Sequence, residues 1–179
     1  LNFAENLLSR EQNGGPLIFR DERGRRRELS RAELVNKVAE LAAGLRAVGI
    51  QPGDRVAAIL PNCPEAVIAM LAAASVGAVF SSCSPDFGVS AISDRFGQIA
   101  PRVLIVCDGY SYNGQQINTL SRVAQIVQSL PMLEHVIVVP FLHDHPDIGE
   151  VPAAILCGDF VLPGSVPEYL PLPFDHPLL

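Results

Sequence analysis

The chain has 179 residues, enough for one domain or a large part of one. With 49% hydrophobic and 18% charged residues it falls outside the disordered class and has apolar material for a sizeable core. Thirteen basic against 19 acidic residues leave a net charge of −6, which argues against nucleic acid or an acidic membrane as partner.

In chain order, LNFAENLLS places apolar residues at Leu1, Phe3, Ala4, Leu7 and Leu8, the pattern of a short amphipathic helix. PLIFRDERGRRREL reads as a small β-hairpin around an Asp-Glu-Arg-Gly turn. Its arginines, with Arg31, form the basic cluster of the chain, but Asp21, Glu22 and Glu28 are interleaved, so a solvated hairpin is expected rather than a phosphate site. Ser30 and Glu33 form a capping box, and Leu34, Val38, Leu41, Leu45 and Val48 make the apolar face of the helix that follows. Glu33 and Lys37 stand four apart in the favourable order, and Gly49 supplies a left-handed stop. QPGD then turns the chain into a buried strand, RVAAIL.

The next helix is expected to be capped by Asn62, with Pro64 in its first turn and Glu65 on the favourable end of the dipole. It is apolar all round up to about Ser75. The run AVIAMLAAASVGAVF, 66 to 80, is shorter than the roughly 20 residues of a membrane span, so it reads as a buried helix ended by Gly77 and followed by a strand. SSCSPDFG then turns at Ser84-Pro85, and a helix starts near Gly88. RVLIVC is a strand, CDGYSYNG a loop, 118–129 a helix and HVIVVP the last clear strand. Strand–helix alternation of this kind predicts an α/β fold, a mostly parallel sheet with helices on both faces, preceded by the hairpin. Nine of the 15 prolines lie in 131–179. The expected division is an N-terminal helix and hairpin over 1–29, an α/β core over 30–140 and a Pro-rich connecting segment over 141–179.

Cys63, Cys83, Cys107 and Cys157 form no C-x-x-C pair or zinc-like spacing, and they read as reduced thiols of a cytoplasmic protein. Leu1 is not an initiating Met, and the chain is read as opening within a longer protein.

Few residues carry visible chemistry. Asp86-Phe87-Gly88 matches the metal-binding triplet of protein kinases, but there is no glycine-rich loop, no strand Lys in a V-A-I-K setting and no H-R-D loop. Two readings of the stretch stay open: a ligand-facing loop at the carboxyl end of a strand, or simple helix capping by Asp86. No G-x-x-x-x-G-K-[ST] loop is found in these residues, and LPNCPEA after the first core strand has two prolines and no glycine, which disfavours a free-standing flavodoxin-type nucleotide domain. His143, Asp144, His145 and Asp147 offer metal-ligating groups, yet a His-x-His beside proline reads first as a solvated loop. Ser-His-Asp catalysis lacks its nucleophile elbow.

Taken together, GDRVAAILPN, PEAVIAMLAAASVGA, SSCSPDFG with DRFGQIAP, DGYSYNG and LPMLEHVIVVPF resemble the N-terminal part of the adenylate-forming acyl-CoA synthetases. SPDFG followed by DRFGQI favours their acetoacetate-using branch over ligases of acetate or propionate. The resemblance implies a two-step ligase reaction with ATP, Mg²⁺ and coenzyme A, the nucleotide-handling groups lying beyond this stretch in a missing C-terminal part. It therefore implies an N-terminal fragment that is inactive alone, with no catalytic and no metal-binding residue of its own. A non-catalytic truncated product acting as a binding module remains the rival. The resemblance further implies that Pro85, Asp86, Phe87 and Gly88, with the loop carrying Ser111 and Gln115, line the coenzyme A side. Relatives tend to place basic residues where this chain has Ser111 and Gln115, and Trp where it has Phe80. The first difference would weaken contact with the coenzyme's phosphates.

Overall fold

The computed structural model describes residues 1–9 and 15–179. Its elements are α1 (Phe3–Ser9), β1 (Leu17–Arg20), β2 (Arg26–Leu29), α2 (Arg31–Ala47), β3 (Arg55–Ile59), α3 (Pro64–Ser75), β4 (Val79–Cys83), α4 (Val89–Ile99), β5 (Val103–Cys107), β6 (Gly109–Tyr112), β7 (Gln115–Asn118), α5 (Leu120–Gln128), β8 (His135–Val139), β9 (Ala154–Leu156) and α6 (Cys157–Phe160). They form a five-stranded parallel sheet flanked by helices, plus two small antiparallel hairpins, β1–β2 and β6–β7. The chain divides into two compact units, one of residues 1–54, 63–80 and 161–179, the other of 55–62 and 81–160.

In the first unit the capping box forms as the sequence dictates. Ser30 Oγ accepts from Glu33 N–H, and the Glu33 carboxylate accepts from Ser30 N–H at 2.8 Å. These hydrogen bonds from the Ser30 side chain and backbone hold the Glu33 carboxyl below its ordinary range, outweighing slight desolvation, and Lys37 assists. α3 is buried along most of its length, consistent with its uniformly apolar sequence. Its cap differs from expectation. Cys63, not Asn62, occupies the N-cap, with no capping hydrogen bond from its side chain, while Pro64 opens the helix without an N–H to satisfy. The arginine cluster is largely consumed by local pairs. Arg25 meets Asp21, Arg26 meets Glu28, Arg27 meets Glu65, and Arg31 donates to Leu7 O.

Residues 161–179 contain no helix or strand, yet their backbone is tied down. Leu162 N–H donates to Glu40 O, Leu170 N–H to Ser75 O, Leu172 N–H to Leu1 O, and Phe80 N–H to Leu178 O. Buried Asn2 makes the connection double. Its Oδ1 accepts from Ala4 N–H at the start of α1, and its Nδ2 donates to Ala74 O and Leu170 O.

The second unit holds the sheet core. In the order β4-β3-β5-β8-β9 the parallel strands follow the 2-1-3-4-5 pattern of doubly wound sheets. Register stacks Ala57, Leu104 and Val136 in one row, and Ile59, Val106 and Val138 in the next. These rows pack with Ile92 and Phe96 of α4 and with Leu120, Val123 and Ile126 of α5. Each such large side chain contributes roughly 1.5–3 kcal/mol on burial. The C-terminus of α4 is closed by Arg55, whose guanidinium donates to Ile99 O and Ala100 O at 2.6 and 2.9 Å. Two elements depart from the sequence expectation. β9 adds a fifth parallel strand from the Pro-rich region, short enough to escape a pattern search, and CDGYSYNG is not a loop but the β6–β7 hairpin.

Candidate functional site

In a 2-1-3-4-5 sheet the order in which strands are added reverses between the first and third strands, here β3 and β5, and ligands bind outside the carboxyl ends near that point. The carboxyl ends of β4 and β5 carry Pro85, Asp86, Phe87, Gly88, Ser111 and Gln115, whereas the His143–Asp147 stretch follows β8.

β4 ends at Cys83, and a tight turn follows. Phe87 N–H donates to Ser84 O at 3.3 Å, so Pro85 and Asp86 are the central residues of a β-turn. Proline's fixed φ suits the first central position, and Ser84 suits the position before it. Ser84 Oγ donates to Asp86 Oδ1 at 2.6 Å, which turns the carboxylate back on the turn. Asp86 is therefore not a helix cap. Gly88 is the N-cap of α4, with extended backbone and no side-chain bond. Pro85 is buried, whereas Asp86, Phe87 and Gly88 are exposed. Phe87 is 39% exposed, and the Arg95 guanidinium lies 5.0 Å over its ring, within cation–π range.

β5 ends at Cys107, and the β6–β7 hairpin follows after Asp108. Its turn is Asn113-Gly114, with φ of 49° and 75°, the positive pair that a two-residue hairpin of this twist demands. The register pairs Gly109 with Asn118 and Ser111 with Gln116. Ser111 is half-buried, and its Oγ is enclosed with no hydrogen-bond partner among the described residues. Gln115 is exposed beside the turn. The two candidate groups thus stand on loops at the same end of one sheet. β3 lies between β4 and β5, which separates the loop bases by two strand spacings, about 10 Å.

The residue that sequence reasoning missed is Asp108. It is fully buried, and its carboxylate accepts from the backbone N–H groups of Phe141, Leu142 and His143 at 2.6, 2.9 and 3.0 Å, with His143 Nδ1 at 2.8 Å from Oδ2. A turn-like Asp-Gly pair hid it, because turn chemistry explains the same residues. The signal available was position: an acidic residue directly after a fully apolar strand. Next to it, burial and the Asp108 charge push the Cys107 thiol up to about 12, so it stays protonated and inert.

The His-rich stretch lines a cavity of about 520 Å³ with Asn118, Leu120, His143, His145, Pro146, Asp147 and Glu150. Among the described residues no group of three or more His, Cys, Asp or Glu side chains converges to hold a metal ion. Among the same residues no helix is long and apolar enough to cross a membrane.

The open α/β sheet is of the doubly wound class, in which ligands are met outside the carboxyl ends of the strands. Residues 9–154 match the family of AMP-binding enzymes, and the chain belongs to that family. Over 99% of its length it is 46% identical to acetoacetyl-coenzyme A synthetase of Rhizobium meliloti, covering 28% of that protein. It is 36% identical to malonamoyl-CoA synthetase vrtB of Penicillium aethiopicum, covering 27% of it. Among solved structures it superposes on acetoacetyl-CoA synthetase from Streptomyces lividans with a TM-score of 0.90 at 41% identity, covering 99% of this chain and 27% of that one. The chain thus spans a little over a quarter of the length of these relatives.

Proposed function

We propose that this chain is the N-terminal portion of the large domain of an ATP-dependent acid–CoA ligase, with acetoacetate as the acid. What supports the reading is the family match over 9–154 together with acetoacetyl-CoA synthetases among the relatives aligned along almost the whole chain. In the proposed reaction the acid's carboxylate attacks the α-phosphate of Mg-ATP, forming an acyl-adenylate and releasing pyrophosphate. The thiolate of coenzyme A then attacks the acyl carbon and AMP leaves. Both steps depend on positioned donors and cations around crowded phosphate oxygens. Those groups belong, on this reading, to later residues of the longer protein. The present residues supply scaffold and part of the coenzyme mouth, lined by Pro85, Asp86, Phe87 and Gly88 on one loop and by Ser111 and Gln115 on the hairpin. Small-molecule substrates are its partners, together with the rest of the same enzyme. A reducing, cytoplasmic setting is supported by the four cysteines, none of which is in a disulfide.

The malonamoyl-CoA relative makes the acid the finer question. The test is to supply the full-length protein with ATP, Mg²⁺, coenzyme A and, in turn, acetoacetate, malonamate and acetate, and to measure AMP release. Acetoacetate is expected to give the highest kcat/KM, by tenfold or more. A preference for either other acid overturns the assignment. The 179 residues alone are expected to release no AMP. Exchanging Gln115→Lys in the full-length protein is expected to lower KM for coenzyme A severalfold, as a new cation–phosphate contact on the order of 1 kcal/mol would.

A further inference from the structure

Asp108 is expensive to bury. A carboxylate removed from water costs several kcal/mol unless donors replace its hydration. Here three consecutive backbone N–H groups and an imidazole do so. The side chain spans chain segments far apart in sequence. Phe141, Leu142 and His143 belong to the loop after β8, and Asp108 itself lies between β5 and β6. Its backbone is used as well. Asp108 N–H donates to Val139 O at 3.3 Å, and Asp108 O accepts from Thr119 N–H at 3.1 Å, just before α5. Thr119 Oγ1 in turn donates to Cys107 O. One residue therefore ties together the end of β5, the loop beyond β8, the base of the β6–β7 hairpin and the entry to α5. The hairpin is further pressed into place from the side: a Cβ on Gly109 would stand 2.6 Å from Leu142 Cδ1 and 2.5 Å from Ile117 O.

We infer that Asp108 is a positioning residue for the coenzyme: its buried carboxylate, by gripping the backbone of residues 141–143, fixes the angle at which the hairpin presents Ser111 and Gln115. It touches no substrate. The inference rests on the ligase reading above and on the placement of that hairpin at the coenzyme mouth. Its physical basis is geometric. The hairpin leaves Asp108 at Gly109, which packs against Leu142, and returns at Asn118, whose neighbour Thr119 donates its N–H to Asp108 O. Tyr110, next along β6, is buried. A small rotation at the base becomes a large displacement at Gln115, three ladder pairs away. A coenzyme contact made from the hairpin tip then weakens, whereas chemistry housed elsewhere in the enzyme does not.

The test uses the full-length protein. Asp108→Asn keeps the shape of the side chain but sets an amide NH₂ against donors on one side, so the grip on residues 141–143 fails there. KM for coenzyme A is expected to rise roughly tenfold, the loss of about one to two hydrogen bonds' net worth. Acetoacetate-dependent exchange of pyrophosphate into ATP, which needs no coenzyme A, is expected to stay within twofold. His143→Ala, which leaves the three backbone bonds, is expected to raise the same KM by threefold at most. A coenzyme A KM within twofold of the unaltered protein in Asp108→Asn, even with a lowered melting temperature, overturns the inference and leaves a structural acid. Parallel loss of the exchange reaction overturns it too. If the unaltered protein shows no exchange with acetoacetate, the ligase assignment falls separately. Coenzyme A affinity measured by calorimetry on the unaltered and Asp108→Asn proteins then decides the positioning role, an unchanged Kd rejecting it.

Discussion

Gly109 illustrates how single atoms set this structure. Its φ is not in the left-handed region, so conformational freedom is not the reason for glycine. The reason is space, since any Cβ would meet Ile117 O at 2.5 Å and Leu142 Cδ1 at 2.6 Å. Leu142 has a flexible end and could turn aside, but a backbone carbonyl in the hairpin ladder cannot. Gly109→Ala is therefore expected to destabilise the fold by about 1–3 kcal/mol, the range of overpacking in a dense interior. Urea unfolding measures it, and an unchanged midpoint would show that the hairpin base yields to the added methyl. At the same scale the sequence was legible where a side chain acts on its own neighbours. Ser30 with Glu33, Pro64 in the first turn of α3, and Pro85 in its turn all do so. Asp108 was not legible, because its partners lie 33 to 35 positions away.

Elements form where local signals and packing agree. α2 begins at a reciprocal cap, and Ser30→Ala is expected to cost about 1 kcal/mol through loss of that cap. The same variant should release the Glu33 carboxyl. In the folded chain its pKa lies below the unfolded value near 4.5, so the cap's contribution is complete above that value. It is lost as pH falls through the lower, folded pKa, because protonation removes the negative charge that strengthens the bonds from Ser30 N–H and Oγ. An NMR titration of Glu33 should give a midpoint under 4.5 in the unaltered chain and a higher one in Ser30→Ala. Coinciding midpoints would contradict the cap's electrostatic role. The β6–β7 hairpin shows a signal present but overlooked. Asn113-Gly114 is a strong two-residue turn pair, and YSY before it with QQI after it leave little apolar alternation to announce strands. β9, only three residues long with every one half-buried, had no such mark.

For the whole molecule, burial determines which chemistry is silent. Cys63, Cys83 and Cys107 are buried and Cys157 is partly exposed, and none is in a disulfide. At pH 8, one thiol per native chain, Cys157, is expected to react promptly with a thiol reagent, and all four after denaturation. Cys107 should be the slowest, since burial and the Asp108 charge hold its proton to about 12. Rapid labelling of Cys107, located by peptide mapping, would mean that the Asp108 cluster opens in the native state.

Periodicity, capping residues and apolar runs were enough to determine the strand–helix alternation, the hairpin at β1–β2 and the parallel sheet, because each depends on neighbours within a few residues or on a repeated burial pattern. Strand order, the fifth strand, the seating of residues 161–179 and the buried carboxylate at the mouth of the sheet were decided by tertiary structure alone. Those features are contacts between distant segments, whose free energy exists only once the chain has closed the loops between them.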